Sequence, residues 1–235
     1  HGLHRAKAQS LAAAFGHLER AFELWDVAGA SASAANRGHR LWQAADIATS
    51  TVGNERAVQL ALAAAEQGPP PLGAAWGHER LGRYLWATGR LQESVIEFAH
   101  AAAMLGNDDD PTAAPVYAGL AQAEVLAGRD AVGEEWCAKV FEVVPSPADD
   151  PAAWSMARRA LGIVRSNQGD PATAVELCRA AMTAAPNAMS RALAGLYLCV
   201  ALGDSGEYAA ELATAQDSVA EGHLAGLDRG NGCYF

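Results

Sequence analysis

A leucine, a small residue and, seven positions later, a glycine recur four times along this chain. The copies are Leu81-Gly82 with Gly89, Leu120-Ala121 with Gly128, Leu161-Gly162 with Gly169, and Leu198-Cys199 with Gly206. The small residue lets two helices approach closely. The glycine ends the first of them, because glycine enters the left-handed conformation at little steric cost. A polar stretch then starts a second helix, on which Ser94 and Phe98 share one face and Ala101 follows. In register with Phe98 stand Cys137 and Cys178, and Pro145 and Pro186 each fall 17 residues after their turn glycine.

Adding Gly16 and Gly53 gives six candidate turn glycines, spaced 37, 36, 39, 41 and 37 residues apart. The predicted unit is a helix pair of roughly 34 residues, with the excess in the inter-repeat loops. Those loops read as Gly68 to Pro71, Asn107 to Pro111 and Pro145 to Pro151. Asp110-Pro111, Asp150-Pro151 and Asp170-Pro171 read as helix starts: the aspartate accepts from free N–H groups and proline fits the first helical position. At Gly53-Asn-Glu-Arg-Ala57 the small residue comes one position early, which predicts a shortened turn. No period-two alternation of β-branched residues appears, so the expected class is all-α. The expected architecture is one right-handed superhelical array of antiparallel helix pairs, an α-solenoid, over residues 1–235. It holds about five pairs with a truncated repeat at each end, Leu11 to Trp25 and Glu221 to Phe235. Uncapped ends suggest a piece of a longer protein, able to self-associate through exposed apolar surface.

Charge narrows the function. A net charge of -10 repels phosphate backbones, so direct contact with nucleic acid is not expected. The longest apolar run, Leu193 to Leu202, is too short to span a bilayer, and no signal peptide is visible. A cytoplasmic location follows, in which Cys137, Cys178, Cys199 and Cys233 are reduced and buried. Cys137 and Cys178 are expected to fill the same small hole in successive repeats.

Catalytic spacings are missing. There is no G-x-x-x-x-G-K-[ST], no G-x-S-x-G and no H-E-x-x-H. The acidic runs at 108–110 and 149–150 read as solvated linker and helix caps rather than calcium ligands. The seven histidines are scattered in sequence, so no metal, cofactor or catalytic residue is assigned and the chain is read as a non-enzyme.

What remains is the inner face formed by the first helix of each pair. Trp76, Glu79, Arg83 and Trp86 are spaced 3, 4 and 3 and share a face. Equivalent positions give His39, Trp42 and Asp46, then Ala118 and Gln122, then Met156, Arg159 and Ile163. Of these, Trp42, Asp46, Trp76, Glu79, Arg83, Trp86, Gln122 and Arg159 are the candidate groove for a protein, a peptide or a small-molecule effector. Tryptophan and arginine dominate binding hot spots, and arginine pairs carboxylates or stacks on indoles.

The helix-pair spacing resembles the tetratricopeptide repeat, W-x2-L-G-x2-Y…A-x3-F…P. Glu79 departs from the basic or Asn residues by which one branch of that family grips peptide C-termini, which speaks against that co-chaperone role. Longer phrases are more specific: His17-Leu-Glu-Arg-Ala-Phe-Glu-Leu-Trp-Asp26, Ala44-Ala-Asp46, Gly53-Asn-Glu-Arg-Ala-Val58, Glu79-Arg-Leu-Gly-Arg-Tyr-Leu-Trp-Ala-Thr-Gly89 and Gly226-Leu-Asp-Arg-Gly-Asn-Gly232. Together they resemble the helical region of large bacterial LuxR-type, MalT-like transcriptional regulators. The resemblance implies an AAA- or STAND-type ATPase before this segment and a DNA-binding helix-turn-helix after it. It implies a sensor and scaffold role for the segment itself. A free-standing tetratricopeptide adaptor is the alternative.

Overall fold

The structure, a computed structural model, describes residues 2–28, 34–70, 73–106 and 110–225. Pro71, Asn107 to Asp109 and the segment from Gly226 to Phe235, with Cys233, were assigned above to loops and a further repeat and lie outside the described residues. The described residues form eleven α-helices and no strand. They are α1 (Gly2–Ala28), α2 (Ala34–Thr51), α3 (Asn54–Ala65), α4 (Ala74–Ala87), α5 (Leu91–Leu105), α6 (Ala114–Leu126), α7 (Asp130–Val143), α8 (Pro151–Asn167), α9 (Pro171–Ala184), α10 (Ala188–Asp204) and α11 (Tyr208–Ala225). A 3-10 turn, Pro111–Ala113, precedes α6.

Four of the predicted turn glycines are turns. Gly89, Gly128, Gly169 and Gly206 have φ of 77, 81, 76 and 79°. Each turn has the same pair of backbone bonds. The glycine N–H reaches back to the second-last helical carbonyl, as Gly89 does to Trp86 at 3.0 Å. The next N–H reaches one residue further back, as Arg90 does to Leu85 at 3.0 Å. This is the Schellman arrangement, which satisfies the free carbonyls of a helix end. Gly53 differs: its φ is 113° and its N–H bonds to Ala48 O at 2.8 Å, in the shortened turn.

Gly16 is a correction. It lies inside α1, which runs unbroken from Gly2 to Ala28. A lone glycine costs a helix about 1 kcal/mol, and the alanines and long side chains around Gly16 offset that. Helix starts follow the sequence more closely. Asp150 accepts from the N–H groups of Ala152 and Ala153, Asp170 from Thr173, and Asp110 from Thr112 at the 3-10 turn. Asn187 caps α10 by accepting from Ser190 N–H.

The described residues divide into two units near the end of α5, one up to Met104 and one from Leu105 to Ala225. In the first, α1 to α4 enclose Phe15, Phe22, Leu41, Trp42, Val58 and Tyr84, with alanines filling the closest approaches. Helices α4 and α5 cross at Gly82, where an added Cβ would lie 3.0 Å from the Phe98 ring, and Ser94 Oγ donates to Gly82 O at 2.8 Å. In the second unit α6 is buried on nearly every side, and Val175, Cys178, Leu198 and Leu202 pack between α9 and α10. Cys178 fills the hole left by Gly162, where an added Cβ would lie 2.5 Å from Sγ. Cys137 is also fully buried and donates to Ala157 O on α8 at 3.4 Å. No helix among the described residues is long and apolar enough to cross a membrane.

Candidate binding face

In the first unit the candidate residues fall into three environments. Trp42 is a correction: it is 2% exposed, packs in the core against Gly77 and donates from Nε1 to Gly68 O at 3.4 Å. Its indole is a packing element and offers no surface to a groove. Trp76 and Trp86 are half-buried, and the Trp86 Nε1 hydrogen has no partner. Asp46, Glu79 and Arg83 come together with two residues that the sequence did not single out, Arg80 and Tyr84.

These five side chains form a network between α2 and α4. The Tyr84 hydroxyl donates to Asp46 Oδ1, and Arg80 lies 3.5 Å from Asp46 Oδ2. Arg83 Nε lies 3.2 Å from Glu79 Oε1 one turn away, and its guanidinium sits 5.8 Å from the Tyr84 ring centroid. Burial raises the Glu79 carboxyl above the ordinary range, against the pull of Arg83 and Arg80 and with the push of Asp46. The side chains of Arg83 and Asp46 remain 52% and 42% exposed, so each sign of charge is presented to solvent.

Asp46 also borders a shallow groove between α1 and α2. Ala14, His17, Leu18 and Ala21 line one side at helical spacing, and Arg40, Gln43, Asp46 and Ile47 line the other. The groove therefore has an apolar floor with polar groups of both signs along its α2 edge.

In the second unit Gln122 and Arg159 meet, but beneath the surface. Both are 3% exposed. Arg159 donates from a terminal nitrogen to Gln122 Oε1 at 2.5 Å, and Gln122 Nε2 lies 3.4 Å from the Tyr197 hydroxyl. The guanidinium is 5.3 Å from the Tyr197 ring centroid, and its Nε has no hydrogen-bond partner. Among the described residues no carboxylate pairs with it, and burial lowers its pKa. These two side chains are thus a buried polar link joining α6, α8 and α10 rather than open floor. Tyr197 stands next to the Leu198-Cys199 motif, and nothing in the sequence pattern marks it out.

Chemically, the α2–α4 face offers hydrogen bonds, charge and aromatic surface. Burial pushes the Cys137 and Cys178 thiols up to about 12 and raises that of Cys199, which disfavours the nucleophilic thiolate.

No protein-family model matches the chain, and no curated protein matches it. Solved structures do. BtubC (BKLC) from P. vanneervenii is 12% identical with a TM-score of 0.56, over 94% of this chain and 92% of that one. A Podospora anserina protein of nearly identical TPR-like repeats is 16% identical with a TM-score of 0.54, over 81% of this chain and 97% of that one. The fold is that of tetratricopeptide-like helix-pair arrays.

Proposed function

We propose that this chain is a non-catalytic docking module that takes a protein or peptide segment on the α2–α4 face of its first unit. The observation that carries the reading is the network of Asp46, Glu79, Arg80 and Arg83 beside the half-buried Trp76 and Trp86. Exposed ion pairs contribute about 0–1 kcal/mol, and burying Glu79 disfavours its charged form. A partner that excludes water from the same charges would strengthen them, and indoles and arginines are the side chains on which interface energy concentrates. The adjoining α1–α2 groove suits the apolar side of an amphipathic segment.

On the resemblance to LuxR-type, MalT-like regulators, we propose that this docking step serves transcriptional control. An effector or partner that prefers one arrangement of the helix pairs would bias an ATPase and a DNA-binding domain outside this segment by population shift. The adaptor reading rests on the same face without those domains. Coding sequence on both sides separates them: an upstream phosphate-binding loop and a downstream helix-turn-helix support the regulator, whereas unrelated flanks leave the adaptor.

The face itself is tested by selecting random-sequence peptides on the purified chain and measuring the enriched peptides against Arg83→Ala. Arg83 also pairs with the buried Glu79, so the melting curve of the variant is recorded beside its affinity and binding is compared well below its melting temperature. Loss of affinity by about tenfold or more is expected. If every enriched peptide binds the variant as well as the parent, the face is misassigned.

A further inference from the structure

Helix pairing brings together three side chains that sequence spacing keeps apart. His78 on α4 and Glu97 and His100 on α5 offer ligand atoms that all lie within 4.8 Å of one another. His78 Nδ1 is 2.6 Å from Glu97 Oε2, and the two imidazole rings meet edge to face with centroids 5.3 Å apart. This corrects the reading of the histidines as scattered. We propose that His78, Glu97 and His100 form a site for a divalent transition metal of the zinc class, clasping α4 to α5.

The donor set fits that class. Two imidazoles and one carboxylate suit zinc and its neighbours, whereas calcium and magnesium take oxygen ligands. Tetrahedral zinc with ligands at 2.0–2.2 Å spaces its donors about 3.3 Å apart. The spread of donor distances, from 2.6 Å for the His78–Glu97 pair to an upper bound of 4.8 Å, brackets that value, so ring and carboxylate rotations suffice.

The backbone is already set for it. Ser94 Oγ on Gly82 O and Phe98 against Gly82 fix the helix spacing within about one turn of all three ligands. His100 is exposed, which leaves a fourth position open to water or to a partner's donor. The metal-free cluster is a hydrogen-bonded pair with a neighbouring ring, and metal would replace the His78–Glu97 hydrogen bond with two coordinate bonds.

The test uses the purified chain after chelator treatment. Zinc is titrated calorimetrically, and cobalt is followed by its visible spectrum. One site is expected, with ligand-field bands and no thiolate charge-transfer band, together with a zinc-dependent rise in melting temperature. His100→Ala removes an exposed side chain and Glu97→Gln keeps its shape, so both leave the metal-free melting curve in place. Each should weaken zinc by at least about tenfold, since losing even a supporting group costs that much in metal sites. Absence of binding at millimolar zinc, a thiolate band, or unchanged affinity in either variant overturns the proposal.

Discussion

Gly162 and Cys178 share one hole between α8 and α9. A methyl group at Gly162 would lie 2.5 Å from Cys178 Sγ, well inside contact distance. Gly162→Ala is expected to cost about 1–3 kcal/mol by overpacking. Cys178→Ala in that background should restore much of the loss, seen as a large coupling term in a urea-denaturation cycle. Additive effects would mean that the two side chains do not compete for the space. This hole was legible in the sequence, because the small residue and its partner keep a fixed distance from the turn glycine. Other residues were not. Trp42 occupies a first-helix position from which an indole can turn inward or outward, and the core of the first unit, into which it packs, decides. Tyr84, Arg80 and Tyr197 carry no spacing signal, and the His78 cluster depends on an adjacency across a turn.

Turns show what glycine can and cannot announce. At Gly128 the backbone is left-handed with φ 81° and no added Cβ would touch anything. Gly128→Ala therefore suffers conformational strain alone, about 1–2 kcal/mol. At Gly16, inside α1, an added Cβ likewise meets nothing within 4 Å. There alanine should instead stabilise by roughly 0.5–1 kcal/mol. Thermal melts of the two variants should move in opposite directions, and movement in the same direction would undo the assignment of one as turn and the other as helix. Sequence spacing treated the two glycines alike. What separates them is the surrounding backbone: α6 ends at Leu126 and α7 begins at Asp130 around Gly128, whereas α1 continues through Gly16 to Ala28.

Contacts in the second unit run between near neighbours: α6 with α7 and α8, α8 with α9 and α10, and α10 with α9 and α11. Stability in such an array is local. Gly195 on α10 is pressed against Ser218 on α11, whose buried hydroxyl has no partner, and a methyl group there has no room. Gly195→Ala should speed amide exchange in α11 by about 5- to 30-fold, equivalent to 1–2 kcal/mol. Exchange in α6 and in the first unit should be unchanged, and a uniform acceleration across the chain would refute locality. The same arrangement gives the two sealed thiols an experimental use. Cys137 on α7 rests against Ala157 and Cys178 on α9 against Gly162, on opposite partners of the single helix α8. An alkylating reagent consumes a thiol only while its helix stands away from α8. The chain thus carries two stopwatches of its own, one timing each neighbour's departures, and neither needs a label.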